Sequence, residues 1–124
     1  MCKRGDIYYS DLGAFGGSCQ SGMRPVIIVS NDVANLHSPV VTIVPLTTQL
    51  KKRGQPTHVV LEHRDATGLN RPSMALCEQV RPLDKSNLKD CVGRVTSTDA
   101  MDRITHALQV QIGAFSPNGR LRVD

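Results

Sequence analysis

The chain has 124 residues, 21% of them charged, with a formal net charge of +4. That length fits one domain able to bury its own core without disulfide or metal staples, and no apolar run approaches the ~18–20 residues of a membrane span. No basic start followed by an apolar stretch suggests a secretory signal, so a cytoplasmic protein is the expectation. Mild basicity favours a polyanionic partner. With two Tyr, two Phe and no Trp, recognition of bases mainly by aromatic stacking is disfavoured.

The first predicted strand is GDIYYSDL (Gly5 to Leu12), with Ile7 and Tyr9 on one face and Tyr8 and Leu12 on the other. GAFGGSCQSG follows, a mobile loop by its glycine content. RPVIIVS then reads as a short central strand, apolar on both faces from Val26 to Val29. Pro25 lacks a backbone N–H and belongs at its start or at a bulge. It also biases Arg24 towards an extended conformation.

Asn31 to Pro39 reads as loop. Val40 to Thr48 is a β-branched third strand whose ladder Pro45 breaks near its end. Gln49 to Thr57 is a basic connector, His58 to Glu62 a fourth strand, and Met74 to Leu83 a fifth. In the last of these, alternation puts Cys77, Gln79 and Arg81 on one face. Asp84 caps a helical turn over KSNLKD. STDAMDRITHALQVQIG is the clearest helix, with an N-cap at Ser97 or Thr98, apolar spacing through Met101, Ile104 and Leu108, and Gly113 at its stop. The last residues, 116–124, read as a flexible tail. There is no internal repeat and no second domain; the domain is expected to span residues 1–115. Five short strands punctuated by Gly and Pro, then a terminal helix, indicate an α+β fold: a strongly bent sheet closing into a partial barrel.

The four cysteines (Cys2, Cys19, Cys77 and Cys91) form no C-x-x-C pair and have no histidine at ligand spacing. Reduced thiols are expected, with Cys77 a small core residue. His37, His58, His63 and His106 form no metal constellation. No metal site and no cofactor are expected.

RGDIYYSDL, GSCQSGMRPVIIVSND, VPLTTQL, PTHVVL and LCEQVRPLD, in this order and spacing, resemble the MazF/PemK toxins of bacterial toxin–antitoxin pairs. The resemblance runs from about Lys3 to Gly113. It implies an SH3-like partial barrel of five to seven short strands with a C-terminal helix, a homodimer, and a cognate antitoxin seated in the RNA groove. It also implies metal-independent, sequence-specific cleavage of single-stranded RNA to 2′,3′-cyclic phosphate and 5′-hydroxyl ends, which inhibits translation and growth. By motif, the catalytic pair is Arg24 of the G-x-R-P block and Thr47 of VPLTTQ. Asn31 and Gln79 match RNA-contacting positions, and Gln20 lies in the same loop block. One departure is Cys19, in SCQ, where several members carry an acid.

Chemistry supports the pair. In cleavage to a cyclic phosphate the RNA's own 2′-hydroxyl is the nucleophile, so the protein must align, move protons and stabilise charge on phosphorus. The planar guanidinium of Arg24 can grip two phosphate oxygens, and Thr47 can donate to the same group. Arginine stays protonated and is a poor general base; His58, Glu78 and Glu62 are candidates for that task. Lys51, Lys52 and Arg53 are either an RNA phosphate patch or a solvated hairpin tip. Two other classes stay open on the residues alone: a gyrase poison like the CcdB toxins, and a non-catalytic RNA-binding barrel.

Overall fold

A computed structural model describes residues 1–14, 17–51 and 53–114. The elements, in chain order, are β1 (Asp6–Asp11), β2 (Met23–Ile28), α1 (Asp32–His37), β3 (Val40–Thr47), β4 (His58–Leu61), β5 (Ser73–Leu76), β6 (Arg81–Asp84), β7 (Leu88–Arg94) and α2 (Thr98–Gln111). The strands form one antiparallel, seven-stranded sheet in the order β4-β5-β3-β2-β1-β7, with β6 also paired to β3. The expected α+β architecture is therefore the one observed.

The period of two in β1 sorts its residues as expected. Ile7 joins a core cluster with Ile27, Val44 and Leu46, roofed by Ala100, Ile104 and Ala107 of α2. Tyr8 and Leu12 belong to a second cluster with Val26, Ile28, Val41 and Ile43. β2 lies between β1 and β3, and Val26, Ile27 and Ile28 are fully buried. That explains its aliphatic run, apolar on both faces. In α2 the most buried positions are the small Ala100 and Ala107 beside Ile104, with Met101 and Leu108 flanking them. Small side chains let the helix approach the sheet closely, and a search for large apolar residues passes over them.

Three readings are corrected. Residues 31–39 are not all loop: Asn31 caps the six-residue helix α1, its side chain accepting from the Ala34 N–H. The strand expected over Met74–Leu83 is broken by a 3₁₀ turn at Cys77–Gln79. β5 pairs with β3 at Leu46–Ala75 and β6 at Ile43–Arg81, so the turn absorbs a change of register along one edge of β3. Asp84 does cap a turn, but only a 3₁₀ turn at Lys85–Asn87, and the chain then enters β7. β7 is mostly exposed and pairs with β1 through two register shifts, so it lacks the clean alternation that marks a strand. The tail over 116–124 lies outside the described residues.

Cys77 is buried as expected, although in the 3₁₀ turn rather than a strand. Burial, with the Glu78 charge beside it, pushes its thiol up to about 12. This thiol is packing, not a nucleophile.

Candidate active site

Arg24 and Thr47 sit at the adjoining ends of two neighbouring strands. β2 and β3 pair in register from Ile28–Ile43 to Val26–Pro45. The paired register stops there, and Arg24 and Thr47 stand two residues further along, towards the start of β2 and at the end of β3. On the other side of β2, Arg24 is paired with Ser10 of β1. A row Ser10–Arg24 thus crosses β1 and β2, with Thr47 at the adjoining end of β3.

The donors along this row point to an anion. Arg24 is exposed, and its Nε donates to the Ser21 carbonyl at 3.2 Å. Its two terminal nitrogens have no hydrogen bond among the described residues and present the forked end of the guanidinium outward. The Thr47 Oγ1 accepts from the Gln49 N–H at 3.1 Å. That bond orients the oxygen and leaves the hydroxyl proton free to donate. The local sequence accounts for the placement. Pro25 falls where β2 pairs with β1 at Tyr9 but not yet with β3, so its missing N–H costs no ladder bond on that side.

The loop between β1 and β2 reads as mobile in sequence, yet residues 18–22 are tied down. Leu12 N–H donates to Gly22 O at 2.9 Å and Gly22 N–H to Gly13 O at 2.8 Å, closing the loop's base. Gln79 Oε1 accepts from the Gln20 N–H at 2.7 Å, and its Nε2 donates to Ser18 O at 3.1 Å. The Gln79 amide is thus engaged by the chain itself through its oxygen and one N–H in this conformation. Gln20 contributes its backbone, while its side-chain oxygen is buried without a hydrogen-bond partner. Cys19 is exposed and lines a hollow of about 220 Å³ with Glu78, Gln79, Val80 and Arg81. A carboxylate, Glu78, therefore borders the same hollow as the cysteine that stands at the loop's acidic position.

The remaining sites lie apart from the row. Asn31 is at the far end of β2: seven residues of extended chain from Arg24 amount to on the order of 20 Å. Its side chain is committed to capping α1, with Oδ1 accepting from Ala34 N–H at 2.9 Å. Asn31→Ala is expected to lower stability by about 1 kcal/mol, and Asn31→Asp to keep it; urea unfolding of both checks this.

Arg53 lines a cleft of about 530 Å³ between β4 and α2, with Pro56, His58, Asp102, Arg103 and His106. That cleft is on the edge strand β4, with β5 and β3 between it and β2. Lys51 is exposed nearby in the chain, and Lys52 lies outside the described residues. Two of the three base candidates form one pair, His58 Nε2 lying 2.7 Å from Glu78 Oε2. Glu62 instead lines a cleft beside α2 with Arg64, Asp65, Asp99 and Arg103. Sequence reasoning missed Arg81, whose bonds to Gln20 and Gln79 are visible only once the chain is folded.

Residues 3–112 match the model of the PemK-like, MazF-like toxins of type II toxin–antitoxin systems. The chain belongs to that family. The toxin is 38% identical over 112 residues to endoribonuclease EndoA of Bacillus subtilis, covering 90% of this chain and 95% of that one. It also resembles the solved structure of a mycobacterial endoribonuclease in complex with its cognate antitoxin. The TM-score is 0.74 at 32% identity, over 91% of this chain and 96% of that one. MazF from Deinococcus radiodurans, at 21% identity and TM-score 0.75, covers 90% of the toxin and 96% of its own chain and shares the fold.

Proposed function

We propose that the endoribonuclease activity of this toxin is an in-line transesterification of single-stranded RNA, with the scissile phosphate held by Arg24 and Thr47. The ribose 2′-oxygen attacks phosphorus, the P–O5′ bond breaks, and the products are a 2′,3′-cyclic phosphate and a 5′-hydroxyl. The 2′-hydroxyl proton leaves to a base, and the departing 5′-oxygen takes one up. The fork of Arg24 and the Thr47 hydroxyl donate to the non-bridging oxygens as charge builds on them, which is where preorganised donors gain most. Selectivity for RNA over DNA follows from the nucleophile itself.

The observation that supports this reading is that an exposed guanidinium and a hydroxyl stand at the adjoining ends of two neighbouring, rigid strands. Both groups rest on backbone fixed by a buried sheet, and neither has its phosphate-facing donors spent within the chain. The toxin acts as a homodimer in the bacterial cytoplasm, cleaves at short sequences to arrest translation, and is held inactive by a cognate antitoxin. Single-stranded RNA is the substrate, and Lys51 and Arg53 supply peripheral phosphate contacts.

The test is a labelled oligoribonucleotide beside its fully 2′-deoxy counterpart, with EDTA present and the ends of the products analysed. Cutting of the RNA alone, to cyclic-phosphate and 5′-hydroxyl ends, is expected. Cutting of the deoxy strand, or a 5′-phosphate product, would exclude the 2′-hydroxyl as nucleophile.

A further inference from the structure

We infer that Arg81 and Gln79 are positioning residues for this cleavage: they hold the loop segment Ser18–Ser21 so that the Ser21 carbonyl fixes the guanidinium of Arg24. The inference rests on the assignment of Arg24 to the phosphate and extends it to side chains that need not touch RNA.

The bonds form a continuous chain. Arg81 stands on β6 opposite Ile43 of β3, and so on the framework that carries the catalytic row. Its Nη2 donates to the Gln20 carbonyl at 3.0 Å and to Gln79 Oε1 at 3.4 Å, and its Nε donates to the Gln79 carbonyl at 3.4 Å. Gln79 in turn accepts from the Gln20 N–H at 2.7 Å. Both backbone groups of Gln20 are therefore gripped from a part of the chain some 60 positions away. One residue on, Ser21 O accepts from Arg24 Nε at 3.2 Å.

The physical need is clear from composition. Gly13, Gly17 and Gly22 all hold positive φ. A loop of this kind samples many conformations unless it is tied, at an ordering cost of about 1 kcal/mol or more per residue. An arginine on a free loop base would sweep an arc. Anchoring Nε leaves the plane of the guanidinium fixed and its terminal nitrogens free. A misplacement of ~1 Å in such a group can cost ~10²-fold in rate. Burial pushes the Arg81 guanidinium pKa down, with nearby Cys19 opposing the shift. The guanidinium is half-buried at the edge of the hollow it shares with Cys19.

Arg81→Met keeps the length of the stem and removes the donors. Three readouts are measured together: single-turnover cleavage, amide exchange at Gln20, and the salt dependence of RNA affinity. Faster Gln20 exchange and cleavage slowed ~10- to 100-fold are expected, with the slope of log affinity against log salt unchanged, because no phosphate contact is lost. In an Arg24→Lys background the same substitution should cost far less, since the group it positions is already altered.

A slope reduced by about one would make Arg81 a phosphate ligand instead. An undiminished loss in the Arg24→Lys background, unchanged exchange, or a wild-type rate would each overturn the inference. Gln79→Ala, which removes the other half of the grip, gives the same readouts should Arg81→Met fail to fold. Wild-type cleavage by Arg24→Ala would overturn the catalytic assignment itself, a result separable from any change in Gln20 exchange.

Discussion

Arg24→Ala is expected to lower the single-turnover cleavage rate ~10²- to 10³-fold, equivalent to the loss of about 3–4 kcal/mol of transition-state stabilisation. The fold should survive the change. The side chain is exposed and makes one hydrogen bond, to Ser21 O at 3.2 Å, so its removal leaves no buried group unpaired. Melting temperature within a few degrees of wild type is the matching control. Arg24→Lys should recover only part of the rate, because an ammonium keeps the charge and loses the planar fork. Thr47→Val should cost less than Arg24→Ala, since a neutral donor contributes less than a charged one. A rate unaffected in Arg24→Ala protein, with melting unchanged, would remove this residue from the chemistry.

The largest stability effect is expected where two stretches of backbone touch, beside a hollow that Gly68 and Val92 line together with Pro25 and Thr48. A Cβ on Gly68 would lie 1.8 Å from the Val92 carbonyl oxygen, and one on Gly93 would lie 2.0 Å from the Thr67 carbonyl oxygen. The obstacles are backbone atoms, which cannot swing aside like the tip of a side chain. The contact is also stitched by hydrogen bonds, Thr67 N–H to Arg94 O at 2.8 Å and Arg94 N–H to Thr67 Oγ1 at 3.1 Å.

Gly68 carries a second constraint, its φ of 79°. Gly68→Ala combines overpacking with left-handed backbone strain and should lose about 3 kcal/mol or more. Gly93→Ala isolates the steric part and should lose somewhat less. Thermal unfolding of the two variants separates the terms: a drop on the order of 10 °C is expected for Gly68→Ala, and a change under a degree or two in both would mean that the strands do not approach so closely.

Sequence reasoning reached the frame of the fold where pattern and period agree. β1 and β2 are legible because Ile7 and Tyr8 alternate between two cores and Val26 to Ile28 are apolar throughout. α2 is legible from its Ser97 cap and Gly113 stop. The 3₁₀ turn at Cys77–Gln79 was hidden because CEQV reads as an unbroken continuation of MAL. What breaks it is the offset between the two strands that share β3's edge, a property of pairing rather than of composition.

β7 was hidden for the opposite reason: an exposed, bulged strand carries no apolar stripe. Of the candidate site, the five ordered blocks pointed to Arg24 and Thr47, and only the pairing of β2 with β3 showed that their strand ends adjoin. Gln79 illustrates the limit. Its type and position suit base recognition, but the amide is occupied by Ser18 and Gln20, and no one-dimensional pattern reports which partners a side chain has already taken.

The guanidinium of Arg103 closes one flank of the sheet. From α2 it donates to the Val60 carbonyl on the terminal strand β4 at 3.2 Å, while ion-pairing with Asp99 and Asp65. A strand rim with open carbonyls invites another chain to add on and polymerise. With this one contacted by a helix, and with β7 distorted by its register shifts, strand addition at these two rims is disfavoured. Assembly with a second copy or with a neutralising peptide is thereby channelled to the faces and grooves, where a finite complex is the natural end point.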